Sequence, residues 1–199
     1  MKLVLASGNP GKLREIGALL EPLGFHVITQ RDLGIPEAEE PHATFLENAL
    51  AKARHAAAAA RLPALADDSG LCVEALGGEP GVHSAYYAGR EGSRAERDLR
   101  NNEKLLSEVK DRRTAYYACL MVFLRHPDDP RPLVAEGIWR GEIARAPRGA
   151  NGFGYDPLFL VPGTGKTAAE LDPAEKNRAS HRGMALKKLL DLLNESSRS

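Results

Sequence analysis

The chain is short of cysteine, of excess charge and of long apolar runs, and each shortage closes off a class of protein. There are two cysteines, Cys72 and Cys119, each inside an apolar, strand-like run. Their spacing fits no zinc pattern, so they read as small buried hydrophobes, not as a disulfide or a metal pair. Lysine plus arginine (27) equals aspartate plus glutamate (27), which leaves no net charge. A protein that grips duplex nucleic acid usually carries a basic excess, so duplex nucleic acid is not the expected partner. Local basic residues can still hold a small anion. No apolar run approaches the length that spans a bilayer, and no membrane partner is expected. The first residues enter a strand pattern without a basic lead and apolar signal segment. The features together read as a reduced, cytoplasmic protein.

What is present is enough for one sizeable core. A chain of 199 residues, 43% apolar and 27% charged, reads as a folded protein with a single domain over residues 1–199. Residues 2–6 are a short buried strand. Asn9 and Pro10 make an N-cap and a first helical residue, and the helix they open runs to about Leu20. A second strand is expected over 25–29, then a loop over 33–42 with Glu37, Glu39 and Glu40. Thr44 and Glu47 have capping-box spacing and open an Ala-rich helix that Pro63 stops. Residues 64–68 and 71–76 read as strand material broken by a turn at Asp67–Gly70. Ser93 and Glu96 open a helix to about Lys110. Residues 114–125 and 133–143 form a long hairpin around His126–Pro130. A short strand follows at 157–161, and Asp172-Pro173 starts another helix. Leu186, Leu189, Leu190 and Leu193 put an apolar face on the C-terminal helix. Early strand–helix alternation followed by a long hairpin points to an α/β fold: a mixed twisted sheet with flanking helices and a cleft at the strand ends.

Two groups of residues point to phosphate chemistry. Ser7-Gly8-Asn9-Pro10-Gly11-Lys12 follows a strand and opens a helix, offering backbone N–H groups, a hydroxyl, an amide and an ammonium to an anion. An ordinary strand–turn–helix connection with a surface lysine is the plainer reading of the same residues. Asp67 and Asp68 end an apolar run and suit a magnesium ion, which takes one or two carboxylates and substrate phosphates. Capping of the Ser69 and Gly70 amides is the alternative there. On a regular strand the two carboxylates would face opposite ways, and the expected turn relaxes that. Lys52 and His55 share one helix face. Phe153, between Gly152 and Gly154, is poorly placed for a core and well placed to stack on a base, with a core anchor as the alternative reading. His181 and Arg182 stand near a helix start, where the dipole disfavours cations. Gly163–Thr167 looks like the end of a P-loop, but Leu160 occupies the position of its first glycine, so a surface turn is expected.

These segments, in this order, resemble the inosine/xanthosine triphosphate pyrophosphatase family. The likeness rests on SGNPGK (7–12), TFLENALAKARHA (44–56), ALADDSGL (64–71), GFGYDPLF (152–159), GKTAAEL (165–171), EK (175–176) and SHRG (180–183), and covers essentially the whole chain. It implies a homodimer whose α/β fold has two lobes around a substrate cleft. It also implies magnesium-dependent hydrolysis of a purine nucleoside triphosphate to monophosphate and pyrophosphate. On that resemblance Ser7, Gly8, Asn9, Pro10, Gly11 and Lys12 hold phosphates, with Lys52 adding charge. Glu40 and Asp68 bind Mg2+, and Asp68 is also the general base. Ser69 touches substrate. Phe153, Gly154, Tyr155, Asp156, Lys176, His181 and Arg182 bind the base and sugar end. The family pattern often has threonine in place of Ser7, and both carry a hydroxyl. A nucleotide-binding regulator that does not hydrolyse is the competing reading.

Overall fold

The apolar run at the start of the chain becomes β1 (Lys2–Ala6), its last four residues buried, in the computed structural model, which describes residues 1–196. Asn9 Oδ1 then accepts the N–H groups of Gly11 (2.9 Å) and Lys12 (3.3 Å), and Pro10 begins α1 (Pro10–Leu20). β2 (His26–Thr29) pairs in parallel with β1. α2 (Phe45–Ala60) carries the chain to β3 (Ala64–Val73), which is also parallel to β1. At the start of α2, Thr44 Oγ1 accepts the Glu47 N–H at 3.2 Å. The Glu47 carboxylate takes the Thr44 hydroxyl at 2.6 Å, so this contact differs from the reciprocal backbone bond of a full capping box. Ala49, Ala53, Ala56 and Ala57 are buried against Val4, Ala6, Ala64 and Ala66, so the alanine run is a close-packing helix face.

The expected break at Asp67–Gly70 does not form. β3 runs unbroken through ten residues. Gly70 is there for another reason: a Cβ would come 2.2 Å from Gly81 O and 2.4 Å from Ser84 Oγ. A glycine inside a strand can mark a close approach of chain instead of a turn.

α3 (Arg94–Glu108) has a complete capping box, with Glu96 N–H on Ser93 Oγ and Ser93 N–H on Glu96 Oε2. It ends two residues before Lys110. β4 (Thr114–Leu124) and β5 (Leu133–Ile143) follow on either side of a turn organised by Asp129. That carboxylate accepts the N–H groups of Arg125 (3.0 Å) and Arg131 (2.9 Å) and the Arg125 guanidinium (2.9 Å). Burial works to raise its pKa, but these donors outweigh burial and lower it. β6 is only Phe159–Leu160, antiparallel to β5 and shorter than the 157–161 expected. Gly163–Thr167 is a turn, in which Thr164 Oγ1 accepts the Lys166 N–H at 3.0 Å, and no α-helix follows it directly. Asp172 caps α4 (Pro173–Ala179), and α5 (His181–Ser196) closes the described chain.

The strand order is β2-β1-β3-β4-β5-β6, parallel at one edge and antiparallel at the other, which makes the expected mixed sheet. The chain divides into two compact units. The first holds Met1–Asp68, Cys119–Gly137 and the segment from His181 onward; the second holds Ser69–Ala118 and Ile138–Ser180. In the first, Leu3, Leu5, Ile16, Leu65, Met121 and Leu186 form one core cluster, and the α2 alanines form another. The core of the second centres on Phe159, whose ring lies 4.7 Å from Tyr117 and 5.0 Å from Trp139. Cys72 and Cys119 are buried free thiols, as their apolar surroundings suggested.

Candidate active site

Because β3 continues straight through Asp67 and Asp68, side-chain alternation sends the two carboxylates to opposite faces. Asp67 shares its face with Leu65, toward α1 and α5. Asp68 shares its face with Ala64 and Ala66, toward α2. Each acid consequently has its own cations. Asp67 Oδ2 lies 2.9 Å from Lys12 Nζ and 3.4 Å from Arg182 Nε, and Arg182 Nη1 lies 2.6 Å from Glu15 Oε2. Asp68 Oδ1 lies 3.0 Å from Lys52 Nζ, which is also 2.6 Å from Glu40 Oε1. The second oxygen of Asp68, Oδ2, is buried and has no hydrogen-bond partner among the described residues.

The two environments push the acids apart. Burial alone would raise the pKa of Asp67, but Lys12, Arg182 and Lys52 outweigh it and hold the carboxyl well below the usual range. For Asp68 burial wins: its pKa is raised, with Lys52 and Lys12 opposing the rise and Glu40 adding to it. Burial works against charge on Lys52, yet Asp68, Glu40 and Asp67 more than offset it and keep the ammonium protonated. Cys119 Sγ sits 4.0 Å from Asp67 Oδ2, and burial, reinforced by that carboxylate, keeps it a thiol. The result is one acid locked in its ionised form beside another with raised proton affinity. Such splitting often marks a division of catalytic labour.

In the Ser7–Lys12 turn, three N–H groups are engaged locally. Asn9 donates to Ser7 Oγ at 3.2 Å, and Gly11 and Lys12 donate to Asn9 Oδ1. Ser7 Oγ and Asn9 Oδ1 thus already accept three of the turn's N–H groups, and Lys12 Nζ is paired with Asp67. Pro10 fixes the first turn of α1, and the Glu37 side chain lies directly against Gly8. His55 stays near Lys52 on α2, with Nε2 2.8 Å from Pro36 O. His181 and Arg182 are buried at the start of α5. Ser69, half-buried, directly follows Asp68 on β3.

The second unit holds the aromatic loop. Phe153 N–H donates to Asp156 Oδ2 at 2.9 Å, and Lys176 Nζ donates to the same oxygen at 2.5 Å. Tyr117 reaches Asp156 Oδ1 at 3.4 Å. The half-buried Phe153 ring has Lys176 Nζ 5.0 Å and Arg94 Cζ 5.1 Å from its centroid. Tyr155 packs into the apolar core, with its hydroxyl on Ser84 O at 2.9 Å. Gly154 is held by α3: its N–H donates to Asp98 Oδ2 and its carbonyl accepts from Asn102 Nδ2, both at 2.9 Å.

Sequence reasoning overlooked Glu15, Arg94, Asp98 and Asn102. Glu15 and Arg182 are 167 residues apart, and Asn102 and Gly154 are 52 apart. No local pattern pairs residues at such separations. Asp98 and Asn102 do sit one helical turn apart, but a solvated helix face shows the same spacing.

The fold and these charges define a class first: an α/β protein with buried ionised groups on β3, just past the carboxyl end of its parallel partner β1, near where such sheets bind ligands. The Ham1 family model matches residues 3–192, and the chain belongs to that family. It is 62% identical over 197 residues to a Burkholderia pseudomallei protein named dITP/XTP pyrophosphatase, covering 98% of this chain and 94% of that one. A Ralstonia nicotianae protein of the same name is 60% identical over 194 residues, covering 96% of each. Among solved structures, a HAM1 protein from Coxiella burnetii superposes with a TM-score of 0.87 at 48% identity, covering 98% of this chain and 99% of that one. A nucleoside-triphosphatase / dITP/XTP pyrophosphatase from Mycobacterium abscessus gives 0.71 at 45%, covering 96% and 99%. The resemblance read from the separated motifs is thereby borne out.

Proposed function

We propose that this protein hydrolyses non-standard purine nucleoside triphosphates (ITP, dITP and XTP) to the monophosphate and pyrophosphate, clearing them from the nucleotide pool. One observation carries the reading: Asp68 combines a raised proton affinity with a buried, unpartnered Oδ2, beside Lys52 and Glu40. The names of relatives at about 60% identity support it and supply the choice of bond, because side-chain geometry alone does not say which phosphorus is attacked. Among the described residues no helix is long and apolar enough to cross a membrane, and the same reading places the protein in a reduced cytoplasm.

Magnesium is the cofactor this chemistry asks for, and the residues fit it. Glu40 and Asp68 already converge on one cation, the Lys52 ammonium, and Asp68 Oδ2 is an orphaned acceptor. Among the described residues no group of three or more His, Cys, Asp or Glu side chains gathers at one point. Magnesium takes one or two carboxylates and completes its shell with substrate phosphates and water. The ion-paired cluster formally carries four carboxylates (Glu15, Glu40, Asp67, Asp68) against three cations (Lys12, Lys52, Arg182). A polyphosphate would meet an excess of negative charge there, so an added cation is needed. When bound, magnesium would offset phosphate charge and ease departure of pyrophosphate.

The chain's own groups do the rest. Ser7 and Lys12 bind phosphate oxygens, and Lys52 offsets charge next to the reacting group. Asp68 orients water and accepts its proton, a task suited to a carboxylate of raised pKa. Phe153 stacks on the purine, while His181, Arg182 and the 153–156 amides meet its edge. Incubating the protein with magnesium and ITP should release pyrophosphate and inosine monophosphate. Orthophosphate as the first product would overturn cleavage between the α and β phosphates. Tight ITP binding without any release would return the non-hydrolysing regulator.

Lys12→Ala tests the phosphate end. It should weaken binding of the triphosphate far more than binding of the free nucleoside, measured by calorimetry; equal weakening would make the turn purely structural. The active species should be a homodimer, a reading that rests mainly on the family resemblance. Sedimentation at micromolar concentration that finds only active monomer would remove this part of the proposal.

A further inference from the structure

α3 carries a row of side chains that no part of the reaction above uses. Arg94, Asp98 and Asn102 follow one another at four-residue steps, so they lie along one side of the helix. All three act on the loop that bears Phe153. Asp98 Oδ2 accepts the Gly154 N–H at 2.9 Å, and Asn102 Nδ2 donates to the Gly154 carbonyl at 2.9 Å. Both polar groups of one backbone residue are thus held by one helix. Gly154 has φ +63, in the left-handed region, so the loop is pinned where its backbone turns. Arg94 Nε lies 3.8 Å from Asp98 Oδ2, and its guanidinium carbon lies 5.1 Å from the Phe153 ring centroid.

The Asn102 amide shows what this arrangement is for. Nδ2 also donates to the Asp98 carbonyl at 2.7 Å, while Oδ1 is buried with no hydrogen-bond partner among the described residues. Turning the amide over would set Oδ1 against two carbonyl oxygens, so the observed orientation is forced by the carbonyls. A buried acceptor is left unsatisfied so that the Gly154 carbonyl can be held. That is an odd choice for a residue whose only task is to stabilise a helix, since each unsatisfied buried group works against stability.

We propose that Asp98 and Asn102 are positioning residues for base recognition, and that with Arg94 they form a clamp that sets the Phe153 ring and the following amides and so the discrimination among purine bases. The proposal rests on the reading that Phe153 stacks on the base. A ring held at a fixed height and tilt gives the base one seat, in which its edge meets the donors squarely. A ring free to move lets a mismatched base tilt and relieve its unpaired contacts.

The experiment compares full-length Asp98→Ala, Asn102→Ala, Asp98→Asn, Arg94→Gln and Phe153→Ala, reading kcat and KM for ITP and ATP alongside a thermal melt. Asp98→Ala and Asn102→Ala should shrink the ITP-over-ATP ratio of kcat/KM by roughly tenfold, through KM more than kcat. Asp98→Asn should restore most of the ratio, because its amide oxygen still accepts the Gly154 N–H. Arg94 is half-buried, with a side chain 37% exposed against 21% for Asp98, so Arg94→Gln disturbs the fold less than the changes at Asp98 do; it should raise KM for ITP more than it lowers kcat. A purely structural role would lower both substrates together and leave the ratio untouched. If Phe153→Ala raises KM while the clamp variants keep the native ratio, the clamp is overturned and the base site stands. If Phe153→Ala leaves KM unchanged for both nucleotides, the base-site reading fails, and the clamp with it.

Discussion

Asp68→Asn should lower turnover on ITP at least about a hundredfold while substrate still binds, which is the scale of losing a general base or a metal ligand. The substitution keeps the shape of the side chain. Its amide oxygen can still accept from Lys52, which lies 3.0 Å from Oδ1 in the native protein. What it removes is negative charge and the acceptor character of Oδ2, the buried oxygen with no partner among the described residues. An amide nitrogen in that place can neither take a proton from water nor coordinate a cation. A hundredfold loss is about 2.7 kcal/mol of transition-state stabilisation. Steady-state kinetics with ITP, together with equilibrium binding of ITP to the variant, reads both halves of the expectation. Turnover close to native would take Asp68 out of the mechanism.

The neighbouring acid is a different kind of residue despite the shared sequence DD. Asp67 is buried, ion-paired to Lys12 and Arg182, and held in its ionised form. Removing one partner from such a network leaves charge buried and uncompensated, a stability defect more than a chemical one. The division arises because a straight strand alternates its faces. Lys12 and Arg182 converge on Asp67, with Glu15 behind Arg182, so the Lys12 ammonium is held in place by the Asp67 carboxylate.

The parts of this fold that were legible in the sequence are those decided locally. Asn9-Pro10, Ser93 with Glu96 and Asp172-Pro173 all mark true helix starts, because a cap satisfies N–H groups within three residues of itself. The His126–Pro130 turn was legible for the same reason, since Asp129 bonds to Arg125 and Arg131 on either side of it. The break assigned to Asp67–Gly70 failed because the reason for Gly70 lies outside the strand, at Gly81 and Ser84. The strand at 157–161 shrank to two residues because pairing with β5 supports only Phe159 and Leu160. The site divides in the same way. The residue types for phosphate chemistry stood out as motifs, whereas their pairing did not. Nothing near Arg182 indicates that Glu15 and Asp67 hold it, and nothing near Gly154 points to Asp98 and Asn102.

ITP and XTP should be cleaved much faster than ATP or GTP, judged by kcat/KM. Hypoxanthine and xanthine carry an acceptor oxygen at position six, where adenine carries a donor amine. A site lined with donors pairs the oxygen; with adenine, donor faces donor and both go unsatisfied. One buried unpaired group costs about 1–3 kcal/mol, or roughly tenfold to a hundredfold in discrimination. Sites built on several hydrogen bonds reach about ten-thousandfold. Arg182 suits the role: Nε and Nη1 are fixed by Asp67 and Glu15, so the planar guanidinium is held in one orientation, and it carries donors only, with no acceptor to offer an amine. Guanine shares the oxygen at position six, so its exclusion has to come from the amine at position two, by crowding or by a donor left without an acceptor. Arg182→Ala should therefore narrow the gap between ITP and ATP and leave that between ITP and GTP largely in place. Because Arg182 is buried in an ion-pair network, a thermal melt must accompany the kinetics to separate lost recognition from lost fold. Equal efficiency on ITP and ATP in the native protein would contradict a role in clearing non-standard nucleotides, even with pyrophosphate as the product.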